Sequence, residues 1–166
     1  MYVIKSEEIM SNANQLKQIA INLVRKGKGI LAADESNPTC KKRFDSIGVE
    51  SNFDSRNEYR DMLFTSDGIE DFISGVILFD ETLRQSTTCG EKIPFTKLLN
   101  SKEIIPGIKV DQGVINLEGF QNEKATSGLD GLDKRLAEYY KLGARFAKWR
   151  AVITIGDSIP SEACIY

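Results

Sequence analysis

The chain has 166 residues, 41% of them apolar and 28% charged, usage that builds a folded domain with a hydrophobic core and excludes disordered and collagen-like classes. Lys and Arg number 22 against 24 Asp and Glu, a net charge of −2, so no electrostatic footprint for nucleic acid or an anionic membrane is implied. Histidine is absent, which excludes His-ligated zinc, Ser–His and Cys–His couples and a histidine general base.

Acid–base or covalent chemistry must therefore come from Lys, Asp, Glu, Tyr, Ser or Cys. The three cysteines, Cys40, Cys89 and Cys164, are odd in number, far apart and without CxxC spacing, as expected of reduced thiols in a cytosolic protein. The opening residues carry acids and no apolar h-region, so they read as neither a secretory signal nor a usual transit peptide. No run approaches the about 18 apolar residues of a membrane span. The expectation is a soluble chain.

In chain order, Leu16, Ile19, Ala20, Leu23 and Val24 share one face of an amphipathic helix that Gly27 and Gly29 stop. The apolar run Gly29–Ala33 reads as a buried parallel strand ending in Asp34, Glu35 and Ser36. Pro38 suits the first turn of a helix capped by Asn37 and stopped near Gly48, and Asp54 is placed to cap another helix. A second apolar run, Gly75–Phe79, again ends in acids, Asp80 and Glu81. A short helix over Phe95–Leu99 leads to a third strand, Gly107–Asp111. Asp130 is expected to cap a helix carrying Leu132, Leu136 and Tyr139, and Arg145–Ala151 to form a fourth strand. Strand alternating with helix four times predicts an α/β class with a parallel sheet. Gly27-Lys-Gly29-Ile-Leu-Ala32 matches GxGxxA, but it precedes a strand instead of opening a helix, so it is no dinucleotide loop.

The placement of charge on these strands suggests chemistry. The period of two puts Lys109 opposite Ile108 and Val110, and it puts Phe146, Lys148 and Arg150 on one face, away from Ala147 and Trp149. Asp34 follows the first strand. Charged groups at the C-terminal ends of parallel strands mark where (β/α)₈ barrels and open α/β sheets place their sites. A solvated rim or a structural ion pair would use the same residues. Three cations and a carboxylate at one mouth suit an anionic substrate, such as a sugar phosphate or carboxylate.

The blocks Gly29-Ile-Leu-Ala-Ala-Asp-Glu-Ser36, Lys42-Arg43, Gly75–Phe79 with Glu81-Thr-Leu83, Pro106–Asp111, Gly128–Leu132 and Gly143–Arg150 resemble class I fructose-bisphosphate aldolases. The resemblance runs from about Leu16 onward, with the blocks in order and at the family's spacing. It implies the N-terminal part of a (β/α)₈ TIM barrel, about four βα units of an incomplete barrel. Residues 1–28 would be an N-terminal helical segment, and residues 29–166 would carry strands one to four with their helices. It implies metal-independent cleavage of fructose 1,6-bisphosphate through a lysine Schiff base, with no cofactor. Asp34 and Lys148 match the family's catalytic aspartate and strand-four lysine. Ser36, Arg43, Arg56, Lys109 and Arg150 match substrate contacts, the first two arginines as phosphate holders.

The family's acid–base glutamates and Schiff-base lysine lie on strands five and six, which four strands do not include. The expectation is a fragment that is inactive alone, with homo-oligomerisation (a tetramer in the family) at full length. Cytoplasmic location is expected, with a plastid as the alternative. Gln112 stands where the family usually has lysine. The competing functional reading is a non-catalytic phosphate-binding or subunit-interaction module derived from an aldolase.

Overall fold

The computed structural model describes residues 6–165. Strands β1 (Gly29–Ala33), β2 (Ile73–Leu78) and β3 (Ile105–Lys109) are followed by a hairpin of β4 (Val114–Asn116) and β5 (Lys124–Thr126), then by β6 (Phe146–Lys148). β1, β2, β3 and β6 lie side by side in that order, all parallel. The helices are α1 (Ser6–Leu23), α2 (Asn37–Asp45), α3 (Phe53–Phe64), α4 (Ile69–Phe72), α5 (Asp80–Leu83), α6 (Phe95–Ser101), α7 (Leu132–Lys141) and α8 (Glu162–Ile165).

Register explains how the sheet divides its two faces. Ala32, Ile77, Gly107 and Phe146 are paired neighbour to neighbour across all four strands, and the next row is Ala33, Leu78, Ile108 and Ala147. Along β1, β2 and β3 the second row points to the helices. Ala33, Leu78 and Ile108 are buried there with Val76 and Val110 against Phe64, Phe95, Leu99 and Tyr139. The Phe64 and Phe95 rings meet edge to face at 5.1 Å. On the other face the Phe146 ring lies over Gly107, where an added Cβ would overlap it, and beside Gly75. This face is less covered: Ile30 is 43% exposed, and Ile77 and Phe146 are half-buried.

Several boundaries differ from the sequence reading, each for a local reason. α1 exists, but Leu16 and Val24 are exposed, because the helix meets the sheet near its last turn, where Leu23 approaches Gly75 and its carbonyl accepts the Ser74 hydroxyl at 2.6 Å. Ser36, not Asn37, caps α2. Asn52, not Asp54, caps α3, through a reciprocal pair of bonds with Ser55 at 2.9 and 3.0 Å. α7 begins after Gly131, not at an Asp130 cap, because Gly131 takes the left-handed conformation at φ 65°. β2 and β3 start two residues earlier than expected, and β6 is only three residues long. Past Lys148 the chain leaves β3 and bonds instead to the β4–β5 hairpin, where Thr126 Oγ donates to the Arg150 carbonyl at 2.9 Å and accepts the Val152 N–H at 3.0 Å.

Candidate active site

A cleft of about 990 Å³ opens at the C-terminal ends of the parallel strands. The period of two carries the inward row of the sheet forward to Asp34, Lys109 and Lys148, with Lys109 and Lys148 directly paired in register. All three line the cleft, as do Ser36, Arg43 and Arg150.

Asp34 and Lys148 are 114 residues apart and sit on opposite edge strands of the sheet, yet Lys148 Nζ donates to Asp34 Oδ2 at 2.5 Å. Three strand spacings measure about 14 Å along a sheet, so side chains meet across that interval only because the sheet curls into a trough. The curl belongs to a barrel wall. The Asp34 side chain is 9% exposed and that of Lys148 32%, so the pair sits at the boundary between core and cleft.

Lys109 Nζ donates to its neighbour Asp111 twice, to the carboxylate at 2.6 Å and to the backbone carbonyl at 2.8 Å. The other carboxylate oxygen of Asp111 accepts the Arg150 N–H at 3.4 Å. Burial pushes the Asp111 carboxyl up, but the Lys109 bond and charge, with N–H groups of Arg150 and Gly113, outweigh it and hold the pKa below the usual value. Asp111 thus ties two cationic residues together at one rim. Arg150 lies two residues past the end of β6, is exposed and lines the cleft.

Also lining the cleft, Arg43, near the end of α2, pairs with Glu35. Glu35 Oε2 also accepts the buried Arg60 at 2.5 Å. Burial raises the Glu35 pKa, but its bonds to the backbone and Arg60 and the charges of Arg60 and Arg43 bring it below the ordinary value. Ser36 stands at the head of α2 with its hydroxyl 3.2 Å from that of Thr39.

Arg56 does not join the others. It makes a two-pronged pair with Glu81 at 2.7 and 2.8 Å, outside the residues that line the cleft. Its Nε and Nη2 are engaged by the acid that follows β2. The sequence reading also missed Glu35 and Arg60. A signal existed, since Arg56 and Arg60 are four apart on one face of α3 and both β1 and β2 are followed within three residues by a glutamate, Glu35 and Glu81. The two arginines fit the two acids.

A sequence profile described as fructose-bisphosphate aldolase class-I matches residues 15–166. The chain belongs to this family. It is 57% identical over 151 residues to a probable fructose-bisphosphate aldolase class 1 of Xylella fastidiosa, a match covering 91% of this chain and 45% of that protein. It is 52% identical to a chloroplastic fructose-bisphosphate aldolase 1 of Chlamydomonas reinhardtii, covering 92% of this chain and 41% of the relative.

A solved fructose-bisphosphate aldolase of Plasmodium falciparum, in complex with TRAP and a small-molecule inhibitor, superposes with a TM-score of 0.89 at 51% identity. That match covers 93% of this chain and 45% of the solved one. The chain therefore spans less than half the length of the aldolases it matches, and its curled parallel sheet corresponds to part of their (β/α)₈ barrel.

Proposed function

We propose that this chain supplies the strand-one to strand-four wall of a class I fructose-bisphosphate aldolase site, for reversible cleavage of fructose 1,6-bisphosphate to dihydroxyacetone phosphate and glyceraldehyde 3-phosphate in glycolysis. The observation that carries this is the Asp34–Lys148 pair, in a cleft also lined by the cations Lys109, Arg150 and Arg43. A bisphosphate needs charged donors at two separated points, and guanidinium and ammonium groups provide them.

In cleavage the C4 hydroxyl loses its proton and becomes a carbonyl. The C3–C4 bond breaks, and its electron pair passes into an iminium joining the substrate to a lysine. In this reading Asp34 lies against the hydroxyl at the scissile bond and assists that proton transfer. Lys148 polarises the carbinolamine and stabilises charge as the bond breaks. Ser36, Lys109 and Arg150 contact the substrate, and Arg43 helps hold a phosphate, a role the family resemblance also gives to Arg56. The imine-forming lysine and the acid–base glutamates belong to strands five and six of the barrel, so the 166-residue polypeptide does not turn over alone. The reaction uses no metal, and the completed protein is a homo-oligomer. Its setting is the cytoplasm, with the plastid as the alternative that the chloroplastic relative suggests.

Kinetics in a barrel completed with the C-terminal part of a relative test the assignment. Asp34→Asn is expected to lower kcat by about 100-fold or more with little change in KM, and Arg43→Ala chiefly to raise KM. The reverse pattern would make Asp34 structural and sink the reading.

A further inference from the structure

Arg60 is 2% exposed, and Glu35 is its carboxylate partner. Its guanidinium holds Glu35 at two points, the side-chain Oε2 at 2.5 Å and the backbone carbonyl at 3.1 Å. A buried arginine grips its partner this firmly because leaving its charge uncompensated would be costly. Glu35 is therefore fixed from below, and its second oxygen, Oε1, takes Nη1 of Arg43.

Tyr59, the residue before Arg60 on α3, completes the frame. Its hydroxyl accepts Arg43 Nη1 at 3.5 Å, its ring centroid lies 4.9 Å from the Arg60 guanidinium carbon, and it meets Phe44 edge-on at 5.7 Å. All of these contacts use one edge of Arg43. Nε and Nη2 have no partner among the described residues, and the side chain is 56% exposed beside the cleft. An exposed ion pair adds little stability. It does restrict a long, flexible side chain, which lowers the ordering cost when an anion binds.

We infer that Glu35, locked by Arg60, is a positioning residue that presets the Arg43 guanidinium for a phosphate group at the cleft rim. The inference rests on the sugar-bisphosphate reading of the cleft. It has a sign that separates it from simple charge balance. If Glu35 only neutralised Arg43, Glu35→Gln would make the rim more positive and tighten an anion. If Glu35 orients Arg43, the same change loosens it.

The test is calorimetric titration of the full 166-residue chain with fructose 1,6-bisphosphate. Glu35→Gln is expected to weaken binding about fivefold, and to have no further effect in an Arg43→Ala background. The Arg43 Nε–Hε resonance is expected to be that of a restricted side chain in the parent and to move toward the position of a free one in Glu35→Gln. Tyr59→Phe, which removes one oxygen and no charge, gives a smaller loss in the same direction and serves if Glu35→Gln does not fold. Weakening by Arg43→Ala together with unchanged or tighter binding by Glu35→Gln or Tyr59→Phe overturns the positioning role and leaves the cleft reading standing. No weakening by Arg43→Ala overturns both.

Discussion

Replacing Gly107 by alanine puts one methyl group where the Phe146 ring already lies. The new Cβ would fall well inside contact range of three ring atoms, whereas carbon atoms rest about 3.5–4.0 Å apart. The ring must move by more than about 1 Å or β3 must shift. Overpacking of this kind costs about 1–3 kcal/mol, against a gain of at most about 1 kcal/mol from removing a glycine in a strand. For a chain of this size the net loss corresponds to a fall in Tm of a few degrees.

Urea unfolding followed by tryptophan fluorescence and circular dichroism measures it. The double variant Gly107→Ala with Phe146→Leu should recover at least half of the loss, since the smaller side chain vacates the methyl's space. Gly75→Ala is the comparison: its Cβ overlaps the flexible end of Leu23 at 2.5 Å, which can swing aside, and lies 3.2 Å from the Ile105 carbonyl and 3.3 Å from the Phe146 ring, milder contacts than the three ring atoms at Gly107, so its effect is expected to be smaller. Because Phe146 lies two residues before Lys148 on the same face of β6, Gly107→Ala should also weaken fructose bisphosphate binding. A neutral or stabilised Gly107→Ala would refute the packing of the inward row.

Borohydride reduction of the 166-residue polypeptide with dihydroxyacetone phosphate is expected to leave its mass unchanged; a covalent adduct on Lys148 would contradict the role given to that residue. Asp111 has a folded pKa below its ordinary 3.8, so its contribution to stability is fully present above pH 3.8 and disappears as pH falls through the lowered value. Asp111→Asn should accordingly flatten the acid limb of a pH–stability curve, and an unchanged limb would show that its pairing with Lys109 adds nothing. The 166-residue polypeptide alone, with β1 and β6 each offering one unpaired edge and Ile30 exposed on the inward face, is expected to self-associate. Sedimentation showing a monodisperse monomer with a sharp unfolding transition would count against that.

Much of the fold was legible because the three longest parallel strands carry short apolar runs that lead into acids, Asp34, Asp80 and Asp111, within three residues of each strand's end. The two-residue period placed Lys109 and Lys148 on the inward face without knowledge of the helices. Other features were hidden for physical reasons. The β4–β5 hairpin has exposed residues throughout β4 and no apolar alternation, so nothing marked it as sheet. Its role is to anchor the chain after β6, which is why the fourth strand stops short of Ala151. Cap positions slipped because several polar or glycine residues lie together at each helix start, and backbone geometry decides among them. Arg56 and Arg43 look alike in sequence, both basic and both on helices between the first two strands. Only the locations of Glu81 and Glu35 show that one arginine closes a wall and the other faces the cleft.

The Asp34–Lys148 contact also bears on the order in which the chain folds. The two residues are separated by 114 positions, and closing so long a loop is entropically unfavourable until the intervening βα units have formed. Local pairings, β1 on β2 and then β2 on β3, need far shorter loops. If the contact forms after the transition state, Asp34→Asn is expected to speed unfolding and leave the folding rate unchanged, and a slowed folding rate would refute this order. A polypeptide released during synthesis could hold its first three strands with the two charges still apart. A formed Asp34–Lys148 contact would then report that folding of this wall is finished, since it needs all four parallel strands in place.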